Sequence, residues 1–178
     1  QAAVPAPVMT APAPGQPTGT YVGQKVQQIR SELGQLQGVM AQRTNQLQQI
    51  RNATTENSQR YHGTVAAVTT RLQLGTTPGN PVLVAQWNQA QAELDRISTD
   101  IAAMNSLANE VAADSALAAY LLDATRATYA LSGAIDEDHR QLATLEDETN
   151  RTVVLIDRVL NELSEDISRQ TTLNGLNV

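Results

Sequence analysis

Between residues 26 and 68 a mainly apolar series recurs at alternating steps of three and four. It runs Val26, Ile29, Leu33, Leu36, Met40, Arg43, Leu47, Ile50, Thr54, Asn57, Tyr61, Thr64 and Val68. A heptad of this kind returns to one edge of an α-helix every two turns, whereas a strand needs a period of two. A helix lined along one edge has to bury that edge against another helix. The spacing predicts a helix over residues 20–74, about 82 Å long at about 1.5 Å of rise per residue.

The residues that follow supply the stops and starts. Gly75 suits a left-handed cap, and Asn80 before Pro81 is a helix start with proline at its first position. A second seam runs Trp87, Ala90, Leu94, Ile97, Ile101, Met104, Ala108, Val111, Ser115, Ala118, Leu122, Thr125 and Tyr129, predicting a helix over residues 80–131. From Ile101 to Leu131 alanines spread beyond the seam, so burial on more than one side is expected there. Ser132-Gly133 closes this helix. Asp136, Glu137 and Asp138 then open a third, where acidic side chains face the positive end of the helix dipole. Its apolar set is Leu142, Leu145, Val153, Ile156, Val159, Leu160, Leu163 and Ile167, and Gly175 with Leu176 can cap its end. This predicts a helix over residues 134–173.

Short connections force neighbouring helices to run antiparallel. The fold class is therefore all-α: an elongated antiparallel three-helix coiled coil or bundle spanning residues 20–174. A break at Asn57-Ser58, His62-Gly63 or Asp114-Ser115 turns it into a shorter four- or five-helix bundle instead. In the hairpin register, residues of the first and second helices sit level when their numbers sum to about 155, so His139 falls level with residue 29 and the end of the third helix with residue 92. Charge agrees with mutual packing. Residues 20–74 carry six basic and two acidic side chains, residues 80–131 two and six, and residues 134–170 four and ten. One basic helix between two acidic ones selects partners, while the apolar seams supply the stability.

Composition excludes several function classes. The net charge is −6, with no Cys or Phe and 3% aromatics, so both the counterion-releasing surface and the stacking platforms of a nucleic-acid binder are missing. Absent cysteine removes disulfides, thiolate metal sites and a thiol nucleophile. No run approaches the length of a membrane span. Neither a phosphate loop, a GxSxG elbow, an HExxH helix nor an EF-hand loop occurs, so no catalytic, cofactor-binding or metal residue is assigned and no enzyme is expected. His62 and His139 fall about 50 Å apart on the helices, too far to share a metal. The carboxylates of Asp136–Asp138 and Glu146–Glu148 fan around their helix and read as a solvated acidic face. Arg43, Thr54, Asn57 and Thr64 within the first seam read as a polar layer that controls register, the other reading being a small-molecule pocket.

The candidate site is the tip of the first hairpin. With the third helix ending early, residues 64–91 should project as a two-helix tip carrying Leu72, Leu74, Val82, Leu83, Val84 and Trp87. The sole Trp beside a run of branched aliphatics fits an interface anchor for a protein partner. The same six residues could instead close the tip's own small core.

Residues 1–19 hold five of the seven prolines. They have no apolar period, so they read as an extended, polyproline-like tether that sets a helical domain off from a membrane or another module. The chain opens on Gln1 rather than Met, from which an upstream piece removed by processing or by the choice of cloned boundaries is expected. This Pro/Ala tether over residues 1–19, followed by Ala-, Gln- and Arg-rich helical repeats over 20–173, resembles the coiled-coil periplasmic regions of Gram-negative cell-envelope proteins. Such regions stand between the membrane end and a peptidoglycan-binding module of the OmpA type, a module that here could lie only beyond Val178. The resemblance implies a periplasmic or otherwise extracytoplasmic spacer or scaffold. It would act through protein partners in the envelope, self-association included, without cofactor, nucleic acid or membrane insertion. The reading set against it is a ligand-sensing helical-bundle ectodomain of a membrane receptor.

Overall fold

Asn80 accepts the Val82 amide on its side-chain oxygen at 2.9 Å, and Pro81 follows with no amide to satisfy, so the second helix starts where the sequence places its cap. In the computed structural model, which describes residues 15–175, the helices are α1 (Tyr21–Leu74), α2 (Pro81–Tyr129) and α3 (Asp136–Leu173). No strand occurs among the described residues. The chain is an all-α three-helix bundle. Residues 1–14 of the expected tether lie outside the described residues, and residues 15–19 take no regular secondary structure. Gly75 adopts φ 83° after α1, and Gly175 adopts φ 64° after α3. Both are the left-handed conformation that glycine takes at least cost. Leu176, the expected partner of that second cap, is outside the described residues. All three helices are unbroken through the suspected break points, so the four- or five-helix alternative is not realised.

Two compact units make up the chain, each drawing segments from all three helices. The first comprises Gln1–Asn45 with Ala108–Glu162, the second Gln46–Leu107 with Leu163–Val178. In the first, Val22, Val26, Leu33 and Met40 of α1, Ala118 and Leu121 of α2, and Leu142, Leu145 and Ile156 of α3 are sealed from solvent. The core of the second is sparser, with Leu47, Ile97, Met104, Leu107 and Leu163 nearly sealed and Val68 and Ala90 at its edge.

Polar contacts fix the register. In the second unit Arg71 meets Gln86 and Asn57 meets Asp100, a hairpin within two residues of the expected pairing. The third helix departs from the expected offset of about 110 in the first unit and comes within two residues of it in the second. In the first unit Thr20 bonds Asp138 at an offset of 118, and in the second Ser58 bonds Gln170 at an offset of 112. His139 therefore lies about two turns nearer the start of α1 than residue 29. The connection lengths alone do not determine where α3 sits. That position is set by contacts of its first turn with residues 18–20.

The second seam also needs correction. Its buried series is Met104, Val111, Ala118 and Thr125 together with Leu107, Asp114, Leu121 and Thr128, while Ile101, Ala108, Ser115, Leu122 and Tyr129 are only half-buried. Ala102, Ala103, Ala112, Ala113, Ala116 and Ala119 are exposed, against the expected burial on several sides. Alanine's helix propensity accounts for them on a solvated face.

Candidate functional site

Arg71 is the one charged residue in the twenty-eight from Thr64 to Gln91, and its Nε–H donates to Gln86 Oε1 across the hairpin at 3.0 Å. Beyond it the chain reverses through a tight turn. The Gly75 amide bonds the Leu72 carbonyl at 3.3 Å, the Asn80 amide bonds the Thr77 carbonyl at 3.2 Å, and the Asn80 side chain donates to Thr76 Oγ1 at 2.9 Å. A turn held by this many local bonds presents its flanking residues in a defined arrangement.

Those flanking residues are apolar and open to solvent. Leu74 is 82% exposed, Leu72 59%, Trp87 58%, Val84 49% and Val82 47%, while Leu83 is half-buried. With Val65, six of the thirteen large exposed apolar side chains among the described residues fall in this stretch, so the tip is enriched in what a soluble surface normally disperses. Five of the six sequence candidates do not close a core at the tip. Trp87 is thus not a seam residue, and the buried seam of α2 begins at Ala90.

The polar layer divides in two. Arg43 reaches Glu110 at 2.7 Å and Asp114 at 3.0 Å, and Asn57 reaches Asp100 at 2.8 Å. These pairs fix register between helices. Thr54 and Thr64 donate to the carbonyls of Ile50 and Arg60 in their own helix, at 2.7 and 3.0 Å, so they link nothing across the bundle. The buried Thr125, Thr149 and Thr152 do the same, which satisfies their hydroxyls without a partner on another helix.

Sequence reasoning missed the inward members of the acidic clusters. Asp138 is fully buried and Glu148 is 6% exposed, so these runs are not simply a solvated face. Asp138 accepts from Thr18 at 2.5 Å, Thr20 at 2.7 Å and the Ile135 amide at 2.9 Å. The last bond reaches back from the first turn of α3 to the residue preceding it, as in a capping box. Thr20 in turn caps α1 by accepting the Gly23 amide at 2.8 Å. One carboxylate thereby ties together the starts of two parallel helices. Gly23 is required at this point, since a Cβ there falls 2.1 Å from Thr18 Oγ1. Burial on its own raises the Asp138 pKa, but hydrogen bonds from Thr18, Ile135 and Thr20 and the nearby His139 outweigh it and hold the pKa below its ordinary value. The missed signal was the heptad spacing of Asp138 to Leu142, Leu145 and Thr149.

His139 is exposed and stacks on Tyr129, with ring centroids 6.0 Å apart. No group of three residues able to hold a metal ion occurs among the described residues. Among them, too, no helix is long and apolar enough to cross a membrane. No family model, curated protein or solved structure matches the chain.

Proposed function

We propose that the protein is a non-enzymatic scaffold or spacer of the bacterial cell envelope, acting in the periplasm through protein–protein contacts made by the tip of the α1–α2 hairpin. One observation carries this reading: Leu72, Leu74, Val82, Val84 and Trp87 are solvent-exposed around a turn with a single charged residue in its vicinity. Ordinary helix ends expose polar side chains. An uncharged end with an aromatic anchor matches the centre of a protein interface, where charged residues are depleted and Trp is enriched. The periplasmic placement rests on the resemblance of the Pro/Ala run and the following repeats to envelope coiled coils.

The test places a photo-crosslinking side chain at Leu74 and, as control, at the exposed Asp157. The expected result is one discrete protein adduct from position 74 in the envelope and none from 157. Trp87→Ala should abolish that adduct while helicity and melting temperature stay nearly as they are, because the indole is mostly exposed and lies outside the buried core. Equal adducts from both positions, adducts to lipid only, or an adduct indifferent to Trp87→Ala overturn the reading.

A further inference from the structure

Independently of the tip, the first unit carries a second apolar feature that the scaffold reading does not use. A groove of about 280 Å³ runs between α1 and α2, with Tyr21 and Leu131 at one end and Glu32 and Tyr120 at the other. Tyr21 and Tyr120 are each 61% exposed, although both are large aromatic side chains. Ile29 and Ala124 lie between them and make a shallow floor. The two charged residues on the rim, Lys25 and Glu32, are of opposite sign, so the groove favours neither anion nor cation.

A shallow, neutral groove ribbed by aromatic rings is the kind of surface that grips a polyproline-like strand. Such a strand is already extended, loses little entropy on docking, and stacks its rings on aromatic faces. The lengths agree. Ala127 and Tyr120, both lining the groove from α2, stand about 10 Å apart at helical rise, and a polyproline strand covers that distance in about three residues. The sequence contains a matching segment. Residues 1–14 are uncharged and include Pro5, Pro7, Pro12 and Pro14, with Pro5 and Pro14 a whole number of three-residue turns apart. Within one molecule, however, the residues next to this segment are held on the other side of α1. Gln141 of α3 donates to the Gln16 carbonyl at 2.9 Å, and Gln27 donates to the Gly15 carbonyl at 3.5 Å.

We propose that the Tyr21–Tyr120 groove binds the proline-rich segment of residues 1–14 from a second copy of this chain. The contact is heterologous: each copy offers one segment and one groove, so copies join head to tail and the array need not close.

Sedimentation velocity of the full chain over a concentration series tests this. Mass should rise with concentration. Deleting residues 1–14, or changing Tyr120→Ala, should each weaken association at least about tenfold, since an exposed aromatic anchor carries much of such an interface. Mixing the two variants should restore a complex that stops at one copy of each, because only one complete contact remains. Association that survives both changes, or a full chain that stays monomeric throughout, overturns the proposal. So does a synthetic peptide of residues 1–14 that binds the deleted chain but not the full one, an outcome that places the segment in its own groove. None of these outcomes bears on the tip, whose crosslinking is read separately.

Discussion

Asp138 shows how much one side chain can decide in a bundle of this kind. Its carboxylate links Thr18, Thr20 and the Ile135 amide, so Asp138→Ala should cost about 1–3 kcal/mol in urea unfolding through lost charge-assisted bonds and a lost cap. Its depressed pKa sets the sign of the acid response. The stabilisation is present above the unfolded-state value of about 3.9 and is lost as pH falls through the lower folded-state value. Between pH 5 and 2 the wild type should therefore lose more stability than Asp138→Asn, as measured by melting temperature against pH. Arg30 and Glu148 behave differently. Both are largely buried, yet their closest approach is 3.9 Å, and Arg30 Nε and Nη1 and Glu148 Oε1 have no hydrogen-bond partner. Burial raises the Glu148 pKa against the pull of Arg30 and Arg151. Removing either partner alone should destabilise by about 3–5 kcal/mol, whereas the paired change Arg30→Met with Glu148→Leu should be neutral or stabilising in the same urea assay.

Among the elements, α2 is where composition misleads. Its alanines suggest burial all round, but the buried face is a narrower arc through Met104, Val111, Ala118 and Leu121. Leu121→Ala should cost about 2–5 kcal/mol because it opens a cavity in a sealed core. Ala119→Gly, two positions earlier on the exposed face, should cost only about 1 kcal/mol of helix propensity. Chemical denaturation of the two variants distinguishes this arc from burial on every side. The ends of the elements were legible from single residues: Asn80, Pro81, Gly75 and Gly175 each sit at the cap their chemistry suits. The ion pairs between α1 and its neighbours were legible from charge. Arg30 and Arg51 turn to Glu148 and Asp166 of α3, and Arg43 to Asp114 of α2.

At the level of the whole chain, two units of unequal core quality share the same three helices. In the first, α1 buries an unbroken apolar series from Val22 to Met40. In the second, its inward positions include Thr54, Asn57 and Tyr61, and the next buried aliphatic after Leu47 is Val68, at the core's edge. Fewer sealed contacts allow easier local opening. Amides of residues 60–74 and 84–95 should therefore exchange with deuterium at least about tenfold faster than those of residues 26–40 and 142–160, read by peptide-level mass spectrometry. A partner docked on the tip should slow exchange first in the faster group.

The residues alone were enough to place three helical segments and their ends, the hairpin register of α1 and α2 and the concentration of positive charge on α1. All of these follow from local periodicity, caps and composition. They also named the tip residues, because Trp87 and the aliphatics around it stand out in an uncharged stretch. Packing between helices settles which of them reach solvent, where α3 lies against α1 in the first unit, and which carboxylates turn inward. Those outcomes depend on what a neighbouring helix offers at each level. A carboxylate at a seam position can be buried only where hydroxyls and a free amide from other segments meet it, as Thr18, Thr20 and Ile135 meet Asp138.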